Sequence, residues 1–342
     1  MFEAAGRTYN LEEVLSAADF RGELTPLWRN WRRSLLRAQV AAARGLMMDQ
    51  AVVERAVNEF RYARDLITAE ECERWLADRG LSAEDLHEHF VRQYWDRALA
   101  KAAAQAGDAE GSDSGGGSAL FRVDLVLSPE CDRMAHALGW RVALRCVEPA
   151  TGAVVGSGQG PAAAAQGEAA ARRVWPLDPG WEAELATMES SFQAHLPRLL
   201  TPERRQAWLT LRRLDLIRLE LETLDFDAEA AAREAYLCVK EDGVRLAEVG
   251  EENHYLVQET SALMETFPPE WRRGLLSASC PGVLPPMCHQ GVFRVCFLKG
   301  RSEPSLEDPT VRERVDADLL RQHFGELEAR HLHWHLRVDL AA

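Results

Sequence analysis

The order of secondary-structure elements between Asp215 and Arg301 constrains the fold of this chain more than any other feature. The stretch opens with DLIRLELETL, whose leucines are spaced as in a half-buried strand. An alanine-rich helix then ends at Gly243, and a second, shorter helical run follows it. A polar–apolar strand, a helix that begins at the prolines of FPPEW, and two strand-like runs joined at Gln290-Gly291 complete the stretch. The sequence therefore predicts the order strand, helix, helix, strand, helix, strand, strand.

The wording of the last three elements, PPEWRRGLLSASCPGVLPPMCHQGVFRVCFLKGR, resembles the parvulin-type (PpiC-like) peptidyl-prolyl isomerases. The resemblance implies a site with two histidines, one on the first strand and one on the closing strand. This sequence has no histidine between Asp215 and Leu224, and Phe293 matches the closing-strand position. The resemblance thus implies a degenerate member of the family, with no catalytic residue assigned and with enzymatic activity left open.

Two apolar positions of the family's pocket match Phe267 and Trp271. They are one helical turn apart, so both side chains face the same way. A flat aromatic surface can bury a proline ring without leaving a polar group unpaired. We predict that Phe267, Trp271, Met287 and Phe293 form a pocket for an apolar or prolyl segment of a peptide. The alternative is that Phe267 and Trp271 are simply core residues.

Charge and cysteine content limit which binding partners and which cellular compartment fit this chain. A net charge of −14 disfavours nucleic acid and anionic membranes, both of which bind basic surfaces. The seven cysteines are scattered and odd in number, which is typical of free thiols in a reducing compartment. The N-terminus has no basic start followed by an apolar run, and no segment is long and apolar enough to span a membrane. We therefore expect a cytoplasmic protein.

The 342-residue length predicts more than one domain, and a hydrophobic fraction of 46% is ample for their cores. Two stretches of low complexity, rich in glycine, serine and alanine, are predicted to be linkers, and the first of them contains no large apolar side chain. Helical patterns fill most of the rest, so the fold class is α+β and predominantly α-helical, with a few-stranded antiparallel sheet. The predicted divisions are a helical module at 1–102, a flexible linker at 103–118, a helical segment at 119–148, a low-complexity linker at 149–176, a helical segment at 177–214, a parvulin-like domain at 215–301 and a C-terminal helix at 302–342.

The run LITAEECERWLADRGLSAEDLHEHFVRQ resembles the N-terminal chaperone module of SurA-type proteins. Thr68 and Glu71 in this run form a predicted capping box, and Gly80 is predicted to end the helix. The resemblance implies that a terminal helix or strand returns to the N-terminal module. Residues 1–25 are predicted to be a weakly structured lead-in, with Asn10 as a helix cap, and residues 308–336 one long helix.

Two small motifs leave alternatives open. In HLHWH, His331 and His335 share a face on a helix, which is the spacing of a zinc pair, but no third ligand is evident. An exposed histidine cluster is the other interpretation. Cys288 and His289 are adjacent, but neighbours on a strand point to opposite faces, so a thiol–imidazole pair is disfavoured. Phosphate-binding and G-x-S-x-G patterns are missing, and we predict neither a cofactor nor a metal.

These patterns give one leading function and two alternatives. The leading one is a peptide-binding chaperone with weak or no isomerase activity, whose client carries an apolar or prolyl segment. Cytoplasmic proteins of this two-module layout resemble peptide maturation system proteins, which implies a ribosomally made precursor peptide as the client. The first alternative is an active isomerase in which Cys288 or Glu222 replaces the lost histidines. The second is a structural partner in a larger complex without peptide affinity. The oligomeric state and the identity of the client do not follow from the sequence.

Overall fold

The structure is a computed structural model, and it describes residues 1–103, 117–147, 175, 177–252, 255–289 and 291–335. The chain divides into two compact units. One consists of Met1–His195 together with Phe324–Ala342, and the other of Leu196–His323. The predicted linkers at 103–118 and 149–176 fall almost wholly outside the described residues.

The first unit is built mainly from helices. The predicted capping box of Thr68 and Glu71 is present, and Gly80 follows helix α4 with a positive φ of 68°. A second capping box joins Asn10 to Glu13 at the start of α1. The helices of this unit are α1 (Leu11–Phe20), α2 (Leu24–Ala43), α3 (Gln50–Ala63), α4 (Ala69–Ala77), α5 (Ala83–Ala103), α6 (Gly117–Leu127), α7 (Pro129–Val147) and most of α8 (Pro179–Leu199).

The prediction of a weakly structured lead-in at 1–25 is wrong. Strands β1 (Phe2–Ala4) and β2 (Arg7–Tyr9) form an antiparallel hairpin, and β1 also pairs with β7 (His333–Trp334). The C-terminal segment therefore returns to the N-terminal one, as the resemblance implied. The predicted long helix is shorter than expected, because α13 (Pro309–His331) ends before β7 begins.

Two apolar cores hold the first unit together. Phe2 is fully buried and its ring stacks on Tyr9 at 4.9 Å between centroids. This core continues into α1, α2 and α7 and includes Trp31 and Phe121. A second core lies among α3, α4 and α5, with Phe60 and Phe90 in edge-to-face contact at 5.7 Å. At roughly 1.5–3 kcal/mol for each large apolar side chain removed from water, these contacts dominate the stability of the unit.

The second unit confirms the element order predicted for residues 215–301. Its sheet is antiparallel with strand order β4-β3-β6-β5, so β4 and β5 are its edges. Helix α12 starts at Pro269, as the proline pair predicted. The elements are α9 (Pro202–Leu211), β3 (Arg218–Phe226), α10 (Glu229–Glu241), α11 (Leu246–Glu252), β4 (Gln258–Leu263), α12 (Pro269–Ser277), β5 (Gly282–His289), β6 (Val292–Ser302) and the first part of α13.

Both faces of this four-stranded sheet are covered. On one face Leu219, Leu221, Leu284 and Leu298 pack with α12. On the opposite face α10 and α11 cover the strands, through a cluster that includes Leu224, Phe226, Ala232, Val249 and Val295. Alternation of side chains along each strand sends neighbouring residues to opposite cores.

The fold class is α+β and predominantly helical, with small antiparallel sheets. No helix among the described ranges is both long and apolar enough to cross a bilayer.

Candidate functional site

The candidate site lies on the sheet face that carries α12, which we call the Trp271 face. It is formed by Leu219, Leu221, Thr223 and Asp225 of β3 and by Arg294, Cys296 and Leu298 of β6. The pairing register places Asp225 opposite Arg294 and Thr223 opposite Cys296. Directly opposed residues of an antiparallel pair point to the same side of the sheet, so these four side chains share one surface.

Trp271 packs into the core under this face. Its side chain is 6% exposed and contacts the cluster of Leu219, Leu221 and Leu275. The turn before the helix is held by Arg272, whose Nε donates to the Phe267 carbonyl at 2.8 Å and whose Nη2 donates to the Glu265 carbonyl at 2.7 Å. Those two bonds fix the backbone that presents Phe267. Trp271 therefore serves as a buried floor, and the accessible apolar surface comes from its neighbours.

An ion pair borders this apolar surface. Arg294 Nε donates to Asp225 Oδ1 at 2.5 Å and Nη2 donates to Oδ2 at 2.6 Å, a bidentate arrangement. The guanidinium also lies 5.6 Å from the centroid of the Trp271 ring, within range of a cation–π contact. Hydrogen bonding to Asp225 raises the pKa of Arg294 above its ordinary value. Arg294 is thus a fixed cation beside an aromatic ring.

The four predicted pocket residues do not all come together. Phe267 and Met287 are half-buried against the same cluster as Trp271. Phe293 packs instead with the cluster on the opposite face, under α10 and α11. The side chain of the closing strand that faces Trp271 is Arg294, one residue further along.

The side chains proposed to replace the missing histidines are also on the far face. Cys288 pairs with Phe293 in the register of β5 and β6. Glu222 pairs with Phe297 and forms an ion pair with Lys299 at 3.1 Å. Neither side chain faces the Trp271 surface, so this route to an active isomerase has no geometric support.

Cys296 does lie on the Trp271 face, but its chemistry is suppressed. The thiol is 1% exposed, and burial raises its pKa to about 12. Because the thiolate is the reactive form, this cysteine is an inert part of the core near neutral pH. The face therefore offers apolar contact and one fixed guanidinium, without an activated nucleophile among its described side chains.

The first unit contains two further features that resemble sites. A groove of about 420 Å³ lies among α3, α4 and α5, with Val57, Cys72, Leu76 and Leu86 along it. The HLHWH motif spans the end of α13 and β7, and the rings of His333 and His335 stack at 5.1 Å. Within the described ranges no group of three or more histidine, cysteine or acidic side chains is arranged to hold a metal ion.

Comparison with known proteins gives few matches. No family model matches the sequence, and no curated protein matches it. Two solved structures of foldase protein PrsA are similar to the chain. The one from Streptococcus pneumoniae is 12% identical, with a TM-score of 0.26, over 65% of this chain and 94% of that one. The one from Lactococcus lactis is 7% identical, with a TM-score of 0.29, over 97% of this chain and 92% of that one. Likeness at this level does not by itself assign a function.

Proposed function

We propose that the chain is a peptide-binding chaperone of the foldase type and that its Trp271 face receives the client. The observation that carries the proposal is the position of Phe267 and Met287. Both are half-buried against the apolar cluster that contains Trp271, and Met287 pairs with Arg294 in the register of β5 and β6. Half-buried apolar side chains beside a fixed polar group are the kind of groups that ligand sites use.

Each part of this surface has a distinct use in peptide binding. The accessible parts of Phe267 and Met287 give an apolar or prolyl side chain a place to leave water. Arg294 uses Nε and Nη2 on Asp225 and keeps Nη1 without a protein partner among the described residues. A guanidinium N–H of that kind can donate to a peptide carbonyl. The client is therefore an extended segment whose apolar residue is flanked by an exposed backbone carbonyl.

The test is binding of a fluorescein-labelled peptide with a central Leu-Pro-Phe, followed by anisotropy. We expect the double variant Phe267→Ala/Met287→Ala to bind at least about tenfold more weakly, because each truncation removes apolar contact worth on the order of 1 kcal/mol. The matched control is Phe293→Ala, which removes an aromatic ring from the same sheet on the opposite face.

Circular dichroism of each variant separates loss of binding from loss of folding. Equal affinity of the double variant and the parent, or equal loss in the Phe293→Ala control, overturns the proposed site. If the parent protein shows no saturable binding of the peptide at all, the purely structural role is favoured.

Isomerase activity is the finer part of the proposal, and we propose that it is weak or lacking. Neither β3 nor β6 contains a histidine, and the closing strand presents a paired arginine to Trp271 instead. A guanidinium paired with Asp225 stays protonated near neutral pH, so it cannot act as a general base. Exchange NMR on an Xaa-Pro peptide tests this point. An active enzyme would be established if the cis–trans rate rises in proportion to protein concentration and falls in Phe267→Ala/Met287→Ala.

The proposed client and compartment rest on the sequence. The resemblance to peptide maturation proteins makes a ribosomally made precursor peptide the candidate client. All seven cysteines are free thiols, which fits a reducing compartment such as the cytoplasm. Mass spectrometry of peptides that co-purify with the chain checks the client, and fractionation of the cells that produce the chain checks the compartment.

A further inference from the structure

Helix α2 differs in charge from the rest of the molecule. From Leu24 to Met48 the chain contains five arginines and no acidic residue, although its net charge is −14. Acidic side chains resume only at Asp49. The rest of the chain already carries the large net charge that keeps a protein soluble. Solubility therefore does not explain why this segment is basic.

The basic and apolar side chains of α2 form one outward stripe. At about 100° per residue, Arg29, Arg33, Leu36, Val40 and Arg44 fall within an arc of roughly 80°. All five are exposed, with Leu36 at 36% and Val40 at 42%. We call this set the α2 stripe. Its order along the helix is two arginines, two apolar residues and one arginine.

The inner side of the same helix is already used. Leu24, Trp31 and Ala41 are buried in the core of the first unit. Arg37 is also accounted for, because its guanidinium pairs with Asp96 of α5. The stripe is therefore the side of α2 left over after packing.

The arginines of the stripe lack carboxylate partners. Arg33 Nη2 donates to the Asn30 side chain at 2.5 Å, which leaves its charge uncompensated. Within the described ranges, no carboxylate lies at ion-pair distance from Arg29, Arg33 or Arg44. In contrast, Arg7, Arg92, Arg141 and Arg205 each pair with an acidic side chain.

Apolar exposure continues past the end of α2. The backbone N–H of Leu46 bonds to the Ala41 carbonyl at 3.0 Å, which holds Leu46 against the last turn of the helix. Leu46 is 42% exposed and Met47 is 91% exposed. Exposed apolar residues beside a basic helix face are typical of an interaction surface.

We propose that the α2 stripe binds an acidic amphipathic segment of a partner protein. The carboxylates of that segment pair with Arg29 and Arg33 at one end and with Arg44 at the other, roughly 22 Å apart along the helix axis. Its apolar side chains cover Leu36 and Val40 between them. The partner is thus recognised by carboxylates on both sides of an apolar centre.

Other polyanions fit this surface less well. Nucleic acid gains nothing from Leu36 and Val40, because its phosphate backbone has no apolar side chains to cover them. Anionic membranes are recognised by clusters of about four to eight basic side chains, whereas the stripe has three arginines. The chain's own segment 104–116 carries acidic residues but no apolar side chain larger than alanine, so it cannot match the centre of the stripe.

The experiment uses the full chain and a designed probe. The probe is a fluorescein-labelled helical peptide with glutamates and leucines in the complementary order, and its matched partner has every glutamate replaced by lysine. We expect saturable binding of the glutamate probe that weakens as salt increases. The double variant Arg29→Glu/Arg33→Glu should bind the probe at least about tenfold more weakly.

The control variant is Arg233→Glu/Arg312→Glu, which changes the net charge equally at two exposed arginines outside α2. Equal weakening in both variants, or equal binding of the lysine probe, overturns the proposal. Tighter binding of single-stranded DNA or of phosphatidylserine vesicles assigns the stripe to a different ligand and also overturns it. Sedimentation tests for a second copy of the chain as the occupant. If the chain self-associates and Arg29→Glu/Arg33→Glu abolishes the association, a second copy is the occupant and the proposal is overturned. Binding of the Leu-Pro-Phe peptide is measured in parallel. It is expected to depend on Phe267 and Met287 and not on the stripe, so failure of one proposal is distinguishable from failure of the other.

Discussion

His136 and Glu328 form a buried hydrogen-bonded pair although they are separated by 192 positions in the sequence. His136 Nδ1 lies 3.0 Å from both carboxylate oxygens. Trp334 packs against the imidazole at 4.8 Å between ring centroids. Helix α7 is thereby joined to the end of α13 and to β7 within the first unit. The pair explains how the C-terminal segment is fixed in place, since β7 itself is only two residues long.

The first prediction concerns this buried pair of His136 and Glu328. His136→Leu leaves the Glu328 carboxylate buried without its partner, and we expect a loss of about 3 kcal/mol in the free energy of unfolding of the first unit. Denaturant unfolding followed by tryptophan fluorescence measures the loss. The control is His333→Leu, an exposed histidine of the same segment, for which we expect a change below about 0.5 kcal/mol. Equal stability of the two variants would show that the pair does not hold the segment.

A second prediction compares two helical glycines. A Cβ added at Gly139 would lie 2.9 Å from Glu328 Oε1 and 2.9 Å from Leu332 Cδ1. Alanine is favoured over glycine in a helix by about 1 kcal/mol, but the hydrogen bond to His136 restrains the Glu328 carboxylate that would have to move. We expect Gly139→Ala to lower the melting temperature. Gly325→Ala is the control, because nothing lies within 4 Å of its added Cβ, and it should raise the melting temperature. A stabilising Gly139→Ala would contradict the close packing at this point.

Local signals predicted the second unit well. Capping residues, prolines at helix starts and strand alternation act between near neighbours, so the element order from Asp215 to Arg301 was predictable. The direction in which individual side chains point was less predictable from the sequence. Motif alignment put Phe293 in the pocket, whereas Phe293, Val295 and Phe297 of β6 all pack in the core on the opposite face from Trp271.

The N-terminal hairpin could not have been predicted from local patterns. Phe2 faces Trp334 across the β1–β7 pair, and the two strands are only three and two residues long. Strands this short carry no recognisable alternation, and their stability comes from a partner at the other end of the chain. Residues 1–9 alone therefore indicate only a lead-in, because the strand that pairs with Phe2 lies at the other end of the chain.

A third prediction concerns thiol reactivity. Cys280 and Cys288 are exposed, whereas burial raises the pKa values of Cys131 and Cys296 to about 12. We expect iodoacetamide at pH 8 to label Cys280 and Cys288 in the native protein and to reach Cys131 and Cys296 only after unfolding. Mass spectrometry of tryptic peptides identifies the sites. Cys280→Ser/Cys288→Ser should remove the fast labelling. Rapid modification of native Cys296 would show that the Trp271 face opens in solution.

The last prediction concerns acid stability and rests on Asp124. Its Oδ2 accepts hydrogen bonds from Trp31 Nε1 at 2.6 Å and from Arg92 Nε at 2.9 Å, and its Oδ1 lies 2.6 Å from His89 Nδ1. Burial alone would raise the pKa of Asp124, but the hydrogen bonds from His89 and Arg92 outweigh it and hold the pKa below its ordinary value.

A carboxyl group with a depressed pKa in the folded state contributes stability above the pKa of the unfolded chain, and that contribution is lost as the pH falls through the folded value. We therefore expect the unfolding free energy of the parent protein to drop below about pH 4 more steeply than that of Asp124→Asn. At neutral pH the variant should be less stable by about 3 kcal/mol, because Arg92 loses its buried counter-charge. Denaturant titrations from neutral to acidic pH give both numbers. Asp85→Asn, at an exposed helix cap, is the control, and an identical pH profile for Asp124→Asn and the parent would rule out the network as a source of acid sensitivity.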